Sequence, residues 1–247
     1  MEKQVVRDRI WDALDEEGIA RFPFPPHDRI PNFAGADDAA ERLADTPAWN
    51  AAETVKANPD APQLPVRRAA LRAGKTLYVA QPRLRDAQPF LELDPAEVDD
   101  VDDATTVSGI STHGTPVGPD EVAHVDLVVS GSVAVTEQGA RIGKGEGYSD
   151  LEWALLREID AVDADTTVAT TVHERQIVAG EGDSEVSGQL AAPAPDAHDV
   201  PMDLIVTPER TIRTATPDDR PDGVDWDALE DERLAEIPVL AERAPDR

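Results

Sequence analysis

The sequence contains no cysteine, few aromatic residues and almost no lysine. The absence of cysteine from all 247 residues excludes disulfide bonds and thiol chemistry. No apolar run approaches the roughly 20 residues that a membrane-spanning helix requires, and the charged N-terminus lacks the apolar segment of a signal peptide. We therefore expect a cytoplasmic protein that has no membrane partner.

Basic charge is scarce as well. The chain carries 23 Lys and Arg residues against 51 Asp and Glu residues, for a net charge of −28. Nucleic acid phosphates repel such a chain, so we expect no nucleic acid partner. Acidic tails and disordered segments are one source of such charge. The carboxylates here are spread through segments with helix and strand patterns, which favours a halophilic protein whose charge repulsion is screened by high internal salt.

A length of 247 residues suits one domain with an extension better than two domains. The segments with helical periodicity are 2–17, two short patterns within 36–57, 64–73 and 149–159. The strand-like runs are 76–80, 90–93, 124–135, 166–172 and 202–206. Because strands alternate with helices, the pattern predicts an α/β fold around a mainly parallel sheet.

Two acidic segments interrupt this pattern. Residues 94–107 are predicted to be a connector with little to bury, and the chain becomes acidic and proline-rich after about residue 214. We therefore expect an α/β domain over residues 1–214. An acidic C-terminal extension with one short helix, at 226–237, is expected over 215–247.

The stretch RIGKGEGYSD, residues 141–150, places three glycines between a predicted strand and a predicted helix. Backbone N–H groups in such a loop, together with the start of the following helix, can bind phosphate groups. Arg141 and Lys144 add two cations. The stretch is not a Walker P-loop, because Gly145 follows Lys144 where Ser or Thr is required. The spacing leaves a phosphate cradle and a plain glycine turn as open alternatives.

Two aspartates are candidate magnesium ligands. Asp150 directly follows the glycine stretch, and a carboxylate beside nucleotide phosphates is a usual way in which proteins hold Mg²⁺. Asp199 lies in DAHDVPMDLIVTP, before a predicted strand, where it either caps a turn or joins Asp150 at the ion. Sequence spacing does not decide between these two roles.

Three stretches resemble the 5-formyltetrahydrofolate cyclo-ligase family, also called methenyltetrahydrofolate synthetase. They are KQVVR near the N-terminus, VDLVVSGSVAVTEQGARIGKGEGYSD in the middle and HDVPMDLIVTP near the end. RIGKGEGYxDLE and NPDAPQ are typical of a divergent branch, the methenyltetrahydrofolate synthetase domain-containing proteins. The resemblance runs from Lys3 to about Pro208 and implies a three-layer α/β/α sandwich in a single domain.

The resemblance also implies an activity. Members of the family use ATP and Mg²⁺ to convert 5-formyltetrahydrofolate to 5,10-methenyltetrahydrofolate, with release of ADP and phosphate. The formyl oxygen takes the γ-phosphoryl group, and N10 then attacks the activated carbon. The protein's task in such chemistry is positioning and charge neutralisation. The expected partners are ATP and a reduced folate, bound by a monomer or small homo-oligomer.

The resemblance assigns roles to matching positions of this chain. Lys3 and Arg7 match residues that approach the ATP phosphates, and Asp150 and Asp199 match the Mg²⁺ ligands. Asp60 aligns nearest to a substrate-binding glutamate. The family's ATP-binding glycine loop is matched by Arg141, Gly143, Lys144, Gly145, Gly147 and Tyr148. Of these, the expected catalytic residues are Arg141, Lys144 and Tyr148.

Two residues depart from the family pattern. Ser149 stands where typical members have a second tyrosine, and Glu146 stands where many have a basic residue or glycine. A carboxylate at that position repels a phosphate unless it turns away. The alternatives to a cyclo-ligase are therefore an ATP-binding paralogue that acts on another pterin or a thiamine-related compound, and a non-catalytic binding protein.

The net charge predicts how stability responds to salt. Because about 1 M salt screens exposed charges beyond roughly 3 Å, we expect the melting temperature to rise as KCl increases from low to molar concentration. Thermal melting over a KCl series measures this response. A stability maximum at low salt would show that the halophilic interpretation is wrong.

Overall fold

The structure is a computed structural model that describes residues 2–180, 190–215 and 220–245. The α-helices of these residues are α1 (Lys3–Glu16), α2 (Ala36–Ala44), α3 (Pro47–Ala51), α4 (Leu64–Arg72), α5 (Val101–Ala104), α6 (Val107–His113), α7 (Tyr148–Glu158), α8 (Asp231–Glu236) and α9 (Pro238–Ala241). None of these helices is long and apolar enough to cross a bilayer.

The β-strands of the same residues are β1 (Ala20–Arg21), β2 (Asn32–Phe33), β3 (Thr54–Ala57), β4 (Thr76–Ala80), β5 (Phe90–Leu93), β6 (Thr115–Val117), β7 (Leu127–Val129), β8 (Ala134–Thr136), β9 (Arg141–Ile142), β10 (Thr167–Thr171), β11 (Ile177–Val178), β12 (Leu204–Val206) and β13 (Thr211–Arg213).

Eight strands form the central sheet, in the order β13-β12-β10-β7-β3-β4-β5-β6. The strands from β12 to β4 are parallel, whereas β13, β5 and β6 add antiparallel edges. Parallel neighbours need a crossover connection, and α4 supplies one between β3 and β4. The prediction of a mainly parallel sheet is confirmed.

Side chains that alternate along the strands build a core on each face of the sheet. On β4, Leu77 and Val79 pack in one cluster with residues of α2 and α4. Tyr78 and Ala80 point the other way and join a second cluster with Trp153 of α7. Helices therefore cover both faces, which confirms the three-layer α/β/α sandwich.

A smaller sheet, in the order β11-β8-β9, lies beside the central one. Helix α1 packs on this sheet through its buried stripe, Val6, Ile10, Trp11 and Leu14. The packing fixes the N-terminus of the chain next to β9. The segment that follows β9 is the glycine-rich stretch identified in the sequence.

The structure corrects three sequence predictions. The run 124–135 is two strands, β7 and β8, which belong to different sheets. Small residues between them let the chain pass from one sheet to the other. Gly131 is one of these, because a Cβ at this position would lie only 2.9 Å from the side chain of Ile30. The end of 36–57 is strand β3, because it pairs with a strand on each side. The connector 94–107 contains α5, where Asp100 caps the amide of Asp103 and Ala104 is buried.

Residues 220–245 pack on the α7 face of the domain. Val224, Ile237, Val239 and Leu240 are buried in the same cluster as Trp153. The helical part of this segment consists of α8 and α9, where the sequence predicts a single helix over 226–237. The apolar residues of the segment therefore complete the core on this face.

Leu240 tests how far the C-terminal segment contributes to stability. Its side chain is fully buried, at 0% exposure, so Leu240→Ala should lower the free energy of unfolding by about 2–5 kcal/mol through lost burial and a cavity. Urea denaturation measures this change. The control Val107→Ala, at a position that is 67% exposed, should change stability by less than about 0.5 kcal/mol. Equal effects of the two substitutions would contradict the prediction.

Candidate functional site

A cavity of about 270 Å³ opens at the carboxyl ends of β3 and β4. Asn58 and Asp60 line it after β3, Arg83 lines it after β4, and residues of the stretch 143–150 form the opposite wall. Open α/β sheets bind their ligands at this edge. The structure thus brings the predicted glycine stretch and Asp60 to one cavity.

The glycine loop, defined here as residues 143–147, follows a path that glycine adopts most readily. Gly145 and Gly147 have φ angles of +105° and +70°, in the left-handed region where a Cβ causes strain. Gly147 is the N-cap of α7, which has 11 residues. The loop therefore presents the start of a long helix, with its partial positive charge, to the cavity.

The backbone amides of the glycine loop are available to a ligand. Among the residues that the structure describes, the N–H groups of Lys144, Gly145, Glu146 and Gly147 make no hydrogen bond. These residues are half-buried or exposed, so their amides can bond to water or to a ligand. Consecutive unpaired amides before a helix are typical of an anion-binding site, which favours a phosphate cradle over a plain turn.

Helix α1 contributes Arg7 to the loop. Its Nε donates a hydrogen bond to the carbonyl of Gly143 at 2.7 Å. A Cβ on Gly145 would lie 3.2 Å from Cζ of Arg7, so the guanidinium packs closely against residue 145. Burial lowers the pKa of Arg7, although a guanidinium remains charged at neutral pH.

Arg141 and Asp150 flank the loop and form a buried ion pair. Nη2 of Arg141 lies 2.7 Å from both carboxylate oxygens of Asp150, and Nη1 donates to the carbonyl of Gly131 at 3.0 Å. Burial opposes the charge of Arg141, but the carboxylate of Asp150 outweighs it and raises the pKa of the arginine. The pair joins β9, the strand that precedes the loop, to the first turn of α7.

Asp199 lies close to this pair and binds Lys3. The amide of the next residue, Val200, donates to Oδ1 of Asp150 at 3.2 Å. Nζ of Lys3 lies 2.5 Å from Asp199 Oδ2 and 2.8 Å from Asp196 Oδ2. Burial opposes the charge of Lys3, but its bonds to these two carboxylates outweigh it and raise the pKa of Lys3.

The carboxylates near Lys3 suit a magnesium ion. Ligand atoms of Asp196, His198 and Asp199 lie within 4.8 Å of one another, in a group that does not include Asp150. Oδ2 of Asp150 accepts only from Arg141 among the described residues, so it retains a lone pair. Mg²⁺ is commonly held by one or two carboxylates together with phosphates and water, and Asp196 and Asp199 offer two such carboxylates.

Glu146 turns toward cations of the loop and the facing wall. Its Oε2 lies 2.7 Å from Nζ of Lys144, and its Oε1 lies 3.7 Å from Nη2 of Arg83. The hydrogen bond from Lys144 lowers the pKa of Glu146. The negative charge of Glu146 is therefore neutralised by nearby cations. One of these cations is Lys144, the lysine that was predicted to bind phosphate.

Asp60 is half-buried on the opposite side of the cavity. Burial raises the pKa of Asp60, while the charge of Lys144 acts in the opposite direction. The buried Arg67 fixes the backbone beside it, donating to the carbonyls of Asn58 at 2.6 Å and Asp60 at 2.9 Å. Burial lowers the pKa of Arg67 to about 10. Asp60 thus lines the cavity from a turn whose backbone is held by Arg67.

A buried network at the base of the cavity was not predicted from the sequence. Lys56 of β3 forms a buried ion pair with Glu152 of α7, and Nδ2 of Asn58 donates to the same carboxylate at 3.0 Å. The hydroxyl of Ser149 donates to Oδ1 of Asn58 at 3.4 Å. Asn58 and Glu152 belong to the stretches NPDAPQ and GYxDLE, which were the only signal that could have identified them.

The sequence match decides the relationship of this chain. Residues 2–208 match the model of the 5-formyltetrahydrofolate cyclo-ligase family. The chain belongs to this family. The match ends before the C-terminal segment, so the glycine loop, Lys3, Asp60 and Asp199 all lie within the cyclo-ligase part of the protein.

Two relatives confirm the branch that the sequence motifs indicated. The chain is 44% identical over 241 residues to the methenyltetrahydrofolate synthase domain-containing protein of Mus musculus, covering 96% of this chain and 62% of that protein. The Homo sapiens protein of the same name is 39% identical over 241 residues, covering 96% and 60%. This cyclo-ligase family member therefore spans about three fifths of the length of these relatives.

A solved structure supports the fold. The NMR structure of Aquifex aeolicus 5,10-methenyltetrahydrofolate synthetase superposes with a TM-score of 0.51 at 18% identity, covering 90% of this chain and 97% of that one. At this identity the likeness concerns the fold, which agrees with the α/β architecture described above.

The Arg141–Asp150 pair predicts a large stability effect. Asp150→Ala leaves a buried guanidinium without its partner and should lower the free energy of unfolding by about 3–5 kcal/mol. The control Asp196→Ala removes a carboxylate that is 60% exposed and should cost less than about 1 kcal/mol. Urea denaturation of both variants measures the difference. Similar costs would show that the pair does not hold the ends of the loop.

Proposed function

We propose that this protein is an ATP- and Mg²⁺-dependent cyclo-ligase that converts 5-formyltetrahydrofolate to 5,10-methenyltetrahydrofolate, with release of ADP and phosphate. Membership of the cyclo-ligase family supports a folate-related ligase reaction. One observation carries the assignment of ATP to the site. The glycine loop holds unpaired amides at the N-terminus of α7 and faces a cavity with a carboxyl group on its other wall.

In this proposal the chain binds and orients the phosphates. The loop amides at the start of α7 donate hydrogen bonds to the phosphate oxygens, and Lys144 exchanges its carboxylate partner Glu146 for a phosphate. Arg7 holds the start of the loop through its hydrogen bond to the carbonyl of Gly143. Charge on a transferred phosphoryl group is spread over its oxygens, so donors fixed in advance stabilise the transition state.

We propose Asp199 and Asp150 as the residues that hold Mg²⁺. Asp199 offers an oxygen that now binds Lys3, and Asp150 offers the remaining lone pair of Oδ2. The ion, when bound, neutralises phosphate charge beside the loop. Lys3 then serves as a second cation for the phosphates, because an ammonium on a flexible stem can change partners.

Asp60 is the proposed contact to the reduced folate. Its carboxyl oxygens can accept hydrogen bonds, and pterin rings present N–H donors that suit such acceptors. The position of Asp60 opposite the glycine loop would direct the substrate's reacting end toward the phosphates.

A second candidate function is supported by Glu146. Its carboxylate lies 2.7 Å from the ammonium of Lys144, which makes the phosphate site of this chain different from that of family members with a basic residue or glycine there. A paralogue that retains ATP and acts on another pterin or a thiamine-related compound would fit this change.

A spectroscopic assay separates the candidates. Purified protein mixed with 5-formyltetrahydrofolate, ATP and Mg²⁺ at molar KCl should gain the near-ultraviolet absorbance of the methenyl product. The gain should require both ATP and Mg²⁺. Asp199→Ala, which removes a proposed ligand, should raise the Mg²⁺ concentration required, whereas the matched variant Asp102→Ala should not.

The possible results lead to different conclusions. Product formation supports the cyclo-ligase. Binding of ATP without product would favour the paralogue with another substrate, and absence of ATP binding would reject both in favour of a non-catalytic protein. An unchanged Mg²⁺ requirement in Asp199→Ala would contradict the metal assignment alone.

A further inference from the structure

The C-terminal segment 220–245 lies outside the family match, which ends at residue 208. The similarity to the mouse protein extends into this segment, because that match covers 96% of this chain. The segment crosses the α7 face and reaches the glycine loop. Its contacts there suggest a role beyond closing the core.

The segment is anchored before it reaches the loop. Nη1 of Arg220 donates to the carbonyl of Thr166 at 2.7 Å, and its guanidinium lies 5.2 Å from the ring centroid of Trp153. Nε1 of Trp153 donates to the carbonyl of Pro221 at 3.0 Å. The amide of Val224 donates to Oε1 of Glu158 at 3.0 Å. These contacts tie the start of the segment to α7 and to the residue that precedes β10.

The segment is anchored again after the loop. Ile237, Val239 and Leu240 are at most 1% exposed and belong to the main core cluster. Arg233 stands in α8, one turn before Ile237. Since both flanks of α8 are fixed, the position of Arg233 relative to the loop is fixed as well.

Arg233 contacts the glycine loop through two different interactions. Its Nη2 donates a hydrogen bond to the backbone carbonyl of Glu146. Its guanidinium also lies 4.4 Å from the ring centroid of Tyr148, a cation–π distance. A Cβ on Gly147 would lie 3.9 Å from Nη2 of Arg233. One side chain therefore touches the end of the loop and the first residue of α7.

Arg7 and Arg233 hold the loop in the same way from opposite ends of the chain. Arg7 binds the carbonyl of Gly143, and Arg233 binds the carbonyl of Glu146. Each bond uses a carbonyl and leaves the loop amides, which lack acceptors among the described residues, for an anion. Arginine suits this task because its planar group carries several donors in a fixed arrangement.

We propose that Arg233 is a positioning residue that keeps the glycine loop in its anion-binding conformation, so that the C-terminal segment is part of the nucleotide site. This inference rests on the proposed function for the identity of the anion, ATP. The loop has left-handed residues and unpaired amides, so its conformation depends on contacts made from outside. Arg233 supplies such a contact.

Arg233→Ala tests the inference, with Arg243→Ala as the matched control. Arg243 is in the same segment, and its ion pair with Asp120, at 3.4 Å, involves no residue of the loop. Amide hydrogen exchange of residues 143–149 reports the loop itself, and calorimetric titration with ATP and Mg²⁺ reports binding. We expect Arg233→Ala to increase loop exchange and weaken ATP binding, each by about tenfold or more, as loss of a charged hydrogen bond implies.

Further measurements make the test decisive. Arg243→Ala should leave exchange and binding unchanged, and Arg233→Lys, which keeps the cation, should recover part of the ATP affinity. The melting temperature of each variant shows that it is folded. The inference is overturned if Arg233→Ala matches Arg243→Ala, or if loop exchange rises while ATP affinity stays constant. A wild-type protein that binds no ATP rejects the proposed function instead, and loop exchange alone then decides whether Arg233 holds the loop.

Discussion

The ion pair between Arg141 and Asp150 is the constraint on which the candidate site depends. It joins Arg141, the first residue of β9, to the first turn of α7, so the glycine loop between them must close over a short distance. Closure forces the chain through left-handed angles, which is why Gly145 and Gly147 are needed. The same pair receives the amide of Val200 and thereby sets the position of Asp199. Loop shape and the place of the second aspartate thus follow from one buried contact.

The sequence predicts those features that depend on nearby residues. Strand β4 was predicted at its observed bounds, because a run of β-branched and aromatic residues identifies a buried strand locally. Strand β3 was missed, since it has four residues and includes Lys56. That lysine is buried only because Glu152, 96 residues later, neutralises it. Arg233 was missed for the same reason: its partner in the loop lies 87 residues earlier. Long-range pairs leave no periodic signal.

The family motifs identified which residues lie at the candidate site, but they did not identify the ion pairs that these residues form. The resemblance placed Asp60, Lys3 and the glycine loop in one site; in the structure Asp60 and the glycine loop line one cavity, and Lys3 binds Asp199. It did not indicate that Lys144 is paired with Glu146 and Lys3 with Asp199. In a chain with a net charge of −28, cations attract carboxylates wherever geometry permits. A phosphate would therefore displace a carboxylate, and the net gain in free energy is the difference between two ion pairs.

The arginines and the lysines at this site bind different kinds of partner. Arg7 and Arg233 bind backbone carbonyls and hold the loop, whereas Lys3 and Lys144 bind carboxylates that a phosphate could replace. The guanidinium keeps its charge and offers several directed donors, which suits a fixed contact. The ammonium is a compact charge on a flexible stem, which suits a change of partner. Because the two roles fall on different side chains, an exchange of the carboxylates for the phosphates of the proposed ligand would leave the contacts that hold the loop in place.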